Sequence, residues 1–133
     1  MVVSSVITVL CGVGLYASLF MLGKARQAER GLLAEPSVVQ SPRARLLAGT
    51  PNASFGVCYY VLAAAFAWLP APPAVAVPVM VAVLAAAATS LFLAYSLLFV
   101  TKRSCPYCWS AHAVNWLLVF LFLLHDATAR PLR

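Results

Sequence analysis

The sequence predicts an all-α fold. It is a membrane four-helix bundle with a long extramembrane loop between helices 1 and 2, in a single domain covering residues 1–133. Three observations predict it. Of the 133 residues, 64% are hydrophobic and only 9% are charged, which is more apolar surface than a soluble domain of this size could hide. Four apolar stretches contain no Lys, Arg, Asp or Glu, and a helix needs about 20 such residues to cross a bilayer. Polar or proline-rich segments separate the four.

The first span runs from about Val3 to Leu22. It lacks the positive n-region of a signal peptide and is long for an h-region, so a retained helix is expected. Residues 23 to 52 follow as one long polar loop. The second span, about Ala53 to Leu69, is entered through Thr50-Pro51-Asn52 and closed by Pro70. Pro70-Ala71-Pro72-Pro73 reads as a tight hairpin turn into the third span, about Ala74 to Val100. Pro78 sits close enough to that helix's start to be accommodated. Thr101 to Ser104 lead into the fourth span, about Tyr107 to Leu124. The alanine tracts of the second and third spans suit close helix packing through small side chains.

An even number of spans puts both termini on one side, with the long loop and the start of the fourth helix on the other. The chain carries nine Lys and Arg and a formal charge of +6. With so few acids, no polar domain and no basic stretch interleaved with aromatics, that charge is assigned to lipid headgroups rather than nucleic acid. Lys24, Arg26, Arg30, Arg43, Arg45, Lys102 and Arg103 lie on the loop side, and only Arg130, Arg133 and the amino terminus on the other. The positive-inside rule would place the loop in the cytoplasm.

The chemistry lies in Cys105-Pro106-Tyr107-Cys108, at the mouth of the fourth span and behind Lys102 and Arg103. Two cysteines at this spacing can close a small reversible disulfide. A helix N-terminus and neighbouring cations favour thiolate, the reactive form. Disulfide chemistry argues for the oxidising side of the membrane, against the charge rule. At about 100° per residue, Cys105, Cys108, His112 and Asn115 fall within an arc of about 80°. Polar groups in a membrane helix face a cavity or the bundle interior, and a quinone ring fits such a stripe. Other readings stay open: the polar residues could be packing, or Cys105, Cys108 and His112 could hold zinc. No second cysteine pair or acidic ligand accompanies those three, so no metal is expected. Cys11 and Cys58 read as inert buried thiols.

Three stretches give the chain a resemblance to the vitamin K epoxide reductase family. The first is Ser41-Pro42, then Gly49-Thr50-Pro51-Asn52-Ala53-Ser54-Phe55-Gly56 and Tyr59-Tyr60. The second is Ser90-Leu91-Phe92-Leu93-Ala94-Tyr95. The third is Cys105-Pro106-Tyr107-Cys108 with Asn115. The resemblance implies a quinone-binding four-helix bundle and a thiol–disulfide oxidoreductase, with a quinone as substrate and Cys105–Cys108 as its redox-active disulfide. It implies that Cys105 is the exposed thiol exchanging with a partner, and that Cys108 lies deeper and reacts with the quinone. Asn52 and His112 would bond the quinone, Phe55 and Tyr60 would line the pocket with Asn115 beside them, and Ser41 would order the loop. It also implies an active site on the non-cytoplasmic side of a multi-pass membrane protein.

The chain departs from the family pattern twice. Leu33-Ala34-Glu35-Pro36-Ser37 stands where family members usually carry a further cysteine pair. A separate thioredoxin-like protein or a small thiol would then have to serve as partner. The alternative is a non-catalytic membrane scaffold that lost the relay. His112 stands where the family often has tyrosine; an imidazole can still donate to a carbonyl, and it can carry a proton.

Overall fold

The computed structural model describes residues 1–45, 49–69 and 72–129. The Pro70-Ala71 half of the expected hairpin turn, and Arg130 and Arg133, lie outside the described residues. The described chain is all-helical, with α1 (Val2–Glu29), α2 (Asn52–Phe66), α3 (Pro73–Tyr95) and α4 (Pro106–Ala129). A π-helical stretch, Ser96–Thr101, continues α3. Two 3₁₀ turns, Val38–Gln40 and Pro42–Ala44, punctuate the connection from α1 to α2.

Two boundaries differ from the expectation. The first helix does not stop at Leu22 but runs on to Glu29, so residues 23–29 are helix rather than loop. Lys24, Ala25, Arg26, Gln27, Ala28 and Glu29 are all strong helix formers, and the helix outlasts its apolar stretch. The second helix is shorter than its apolar run, at 15 residues, and rises only about 22 Å. Three segments, Val2–Glu29, Ala74–Thr101 and Pro106–Ala127, are long and apolar enough to cross a membrane. Pro78 lies inside α3, in its second turn as anticipated.

Helix α1 packs against α2 and α4, and α4 packs against α3. The central pair is therefore α1 and α4, with α2 and α3 flanking. The buried core gathers Ile7 and Cys11 of α1, Tyr60 and Ala63 of α2, Val83 of α3, and Val114, Leu118 and Phe122 of α4. These come from the first half of α1 and from the middle and second half of α4. The core therefore fills the end of the bundle away from Cys105 and Cys108. The Trp68 indole donates to Thr8 Oγ1 at 2.8 Å and ties α2 to α1 there. The outer face carries Val9, Leu19, Val81, Leu91 and Phe120, all exposed, which suits contact with lipid rather than water.

One close approach depends on glycine. A Cβ on Gly14 would overlap the Tyr60 ring. Bare backbone on α1 thus lets a large ring lie flat between helices, and Tyr60 is only 2% exposed.

Candidate active site

Pro106 opens α4, where its missing N–H has no partner to lose. Cys105 stands just ahead of the helix, and its carbonyl accepts from Trp109 N at 3.0 Å. Cys108 follows in the first turn. The two are joined as a disulfide with a Cα–Cα distance of 5.3 Å. Lys102, at φ 50, makes the left-handed turn that delivers the chain from the π-helical stretch to this pair. Tyr107, between the cysteines, stacks on Phe20 of α1 at 3.9 Å between ring centroids. The Lys24 ammonium lies 5.2 Å from the Phe20 ring on α1.

A cavity of about 540 Å³ opens beside the disulfide, lined from all four helices. It lies between α2 and α3, the flanking helices that do not close on one another. Cys108, His112 and Asn115 line it from α4, and Asn52, Phe55 and Tyr60 from α2. Ser41 and Arg43 of the connecting segment line it too.

Hydrogen bonds pin that segment over the cavity. The Asn52 amide donates to Arg43 O at 2.8 Å, and the Arg43 guanidinium lies 5.5 Å from the Phe92 ring of α3. Arg103 donates to Pro36 O at 2.5 Å. Arg45 pairs with Glu29 at 2.6 Å and donates to Gly49 O at 2.7 Å. Ser41 joins the two 3₁₀ turns, its N–H donating to Val38 O and its carbonyl accepting from Ala44 N, both at 3.0 Å.

The structure corrects two expectations from the sequence. Cys105 is not the exposed thiol: it is 8% exposed, with Met21 Sδ of α1 only 3.9 Å from its Sγ. It also leaves the helical stripe, because α4 begins one residue after it, and it is absent from the cavity wall. Cys108 is the half-buried partner and it reaches the cavity. Cys58, expected to be buried, is exposed, while Cys11 is buried.

Asn115 is occupied by the protein. Its Oδ1 accepts from the Tyr60 hydroxyl at 2.8 Å, with Ala111 O as a second acceptor 3.2 Å from that hydroxyl. Its Nδ2 donates to Ser90 Oγ at 2.6 Å. This chain fastens α2, α4 and α3 to one another beneath the cavity. His112 differs. It is 6% exposed, and neither ring nitrogen has a hydrogen-bond partner. Its ring lies between Trp109, edge-on at 6.2 Å, and Trp116, stacked at 6.4 Å.

Sequence reasoning left Tyr59, Ser90 and Ser96 out of the site, and all three line the cavity. Tyr59 and Ser90 fall inside the stretches that carried the family resemblance. Ser96 had no sequence signal, since its position depends on where α3 turns into π-helix. Among the described residues, no three His, Cys, Asp or Glu side chains gather as metal ligands.

A disulfide with one cysteine on the wall of a mostly apolar cavity, among membrane-length helices, suits thiol–disulfide exchange in a membrane. Comparison with curated proteins finds no match. The model of the vitamin K epoxide reductase family matches residues 5–123. The members of that family are generally oxidoreductases, and the match suggests a membrane thiol–disulfide enzyme. With nearly the whole chain matched, this protein belongs to the vitamin K epoxide reductase family.

Proposed function

We propose that the protein, acting as one domain over residues 1–133, oxidises a partner dithiol at Cys105–Cys108 and passes the electrons to a membrane quinone. In the first half-reaction the partner's two thiols become a disulfide and the Cys105–Cys108 bond opens to two thiols. In the second, those thiols close again and give two electrons and two protons to the quinone, which leaves as hydroquinone. Thiol-driven reduction of a quinone or quinone epoxide uses the same residues. The observation that carries this reading is Cys108, which belongs to the disulfide and also lines a cavity of about 540 Å³. That space suits a ring-sized ligand.

Each residue then has a task. Cys108 faces the quinone, and Cys105 exchanges with the thiol partner once the covering segment moves. His112 bonds one quinone carbonyl. Asn52 bonds the other while holding Arg43 O. Phe55 packs on the ring, and Asn115 and Tyr60 set the spacing of the helices around it. Ser41 orders the segment of residues 30–51, which lies outside the bilayer on the non-cytoplasmic side. The described part of that segment contains no cysteine, and neither do Leu46, Leu47 and Ala48. The thiol partner is therefore a separate thioredoxin-like protein or a small thiol.

The test is the redox state of Cys105 and Cys108 in membranes stripped of quinone and then resupplied. Free thiols without quinone, and a closed disulfide after its addition, are expected. A disulfide indifferent to quinone would instead favour a non-catalytic scaffold.

A further inference from the structure

We propose that Tyr59 and Ser96 form a second polar pole in the cavity and select a quinone head with ring oxygens beyond its two carbonyls, an alkoxy-substituted benzoquinone. The proposal rests on the quinone reading above and adds the class of head group.

The observation is a set of unpartnered polar atoms. Tyr59 Oη, Ser96 Oγ and both His112 ring nitrogens are buried without a hydrogen-bond partner, and all three residues line the cavity. Ser96 is 3% exposed. Three other helical hydroxyls among the described residues satisfy themselves locally. Ser5 donates to Met1 O, Thr8 to Ser4 O and Ser110 to Pro106 O, each four residues back. Ser96 makes no such bond. It is the first residue of the π-helical stretch, a local widening that in helices generally marks functional sites.

Register places Ser96 near the level of the reacting sulfur, on the wall of the same cavity. The bond between Ser90 and Asn115 fixes the register of antiparallel α3 and α4. Ser96 lies six positions further along, a rise of about 9 Å. That sets it level with Trp109, between Cys108 and His112. Tyr59 approaches from α2, next to Tyr60, whose hydroxyl is already bonded to Asn115.

A methyl-naphthoquinone has two oxygens and otherwise offers carbon to the wall. With Asn52 and His112 at its carbonyls, the Tyr59 and Ser96 hydroxyls would be buried against C–H edges. A site built to bond an oxygen discriminates against an analogue that lacks it, because its own polar groups are then left unpaired. Alkoxy oxygens beside the carbonyls supply the missing acceptors.

The experiment uses the full chain in detergent with dithiothreitol as reductant. The substrates are a dimethoxy-methyl-benzoquinone and a methyl-naphthoquinone with equal short tails, and the readout is the ratio of their kcat/KM. Ser96→Ala and Tyr59→Phe should each narrow the wild-type preference for the dimethoxy ring by about threefold to tenfold. Ser96→Thr keeps a hydroxyl and should keep the ratio. Thermal unfolding of each variant is read alongside, and Tyr59→Phe, which retains its ring, carries the test if Ser96→Ala fails to fold. An unchanged ratio in folded Ser96→Ala and Tyr59→Phe overturns the proposal and leaves the quinone reading standing. Turnover of neither quinone by the wild type overturns both.

Discussion

Arg103 donates to the carbonyl of Pro36 at 2.5 Å and joins the approach to the redox pair to the segment that covers it. The bond bridges the two regions that would have to separate for a thiol partner to reach Cys105, which is only 8% exposed. Removing it should favour the open arrangement. In the reduced protein, Arg103→Ala should speed alkylation of Cys105 by a water-soluble maleimide by about threefold to tenfold, the range of a single exposed hydrogen bond. An unchanged rate would mean that Met21, rather than this latch, limits access.

Sidedness follows from the proposed reading and runs against the charge distribution. Lys24, Arg26, Arg30, Arg43, Arg45, Lys102 and Arg103 cluster at the end that carries the disulfide, and the positive-inside rule alone would turn that end to the cytoplasm. After reduction in intact cells, a membrane-impermeant thiol reagent should label Cys105. Labelling restricted to permeabilised cells would restore the charge rule and remove an extracytoplasmic dithiol as substrate.

The two cysteines should also respond differently to ligand, because Cys108 is on the cavity wall and Cys105 is not. In Cys105→Ser, saturating quinone should slow alkylation of Cys108 several-fold. In Cys108→Ser, the same quinone should leave alkylation of Cys105 nearly as it was. Equal protection of both thiols would contradict the division of roles.

Gly14 supplies a stability test. A methyl group there would meet the Tyr60 ring, whereas one on Gly12 would find nothing within 4 Å. Overpacking of this kind costs about 1–3 kcal/mol, and alanine otherwise favours a helix over glycine. Gly14→Ala should therefore lower the thermal midpoint in detergent, while Gly12→Ala should hold or raise it. Displacing Tyr60 also strains its bond to Asn115, so quinone turnover should fall with Gly14→Ala alone.

Much of this was legible because bilayers impose simple rules. Long uncharged runs reported α1, α3 and α4, and Cys-x-x-Cys ahead of the last run reported the redox centre. The heptad-like spacing of Cys108, His112 and Asn115 reported a shared face. What the pattern could not report was the start of α4 at Pro106. That one-residue offset takes Cys105 off the stripe and under Met21. Nor could composition separate His112 from Asn115. Both are polar on the same face, yet Asn115 spends its amide on Tyr60 and Ser90 while His112 has no partner. That distinction arises only when α2 and α3 are packed against α4.

His112 is where the proposed reading is most exposed to failure. It stands one turn beyond Cys108, buried, with both nitrogens unpartnered and the cavity in front of it. An unpaired buried polar group is costly, and a quinone carbonyl would relieve it. His112→Phe keeps a flat ring between Trp109 and Trp116 but removes the donor. It should lower quinone kcat/KM by about threefold to tenfold. His112→Tyr returns a hydroxyl donor on a longer ring and should recover most of that loss. Alkylation of reduced Cys105 by maleimide, which does not involve the cavity, should change little in either variant. If His112→Phe turns over quinone as well as the wild type, the imidazole only fills space between two tryptophans, and the carbonyl must be bound elsewhere on the wall.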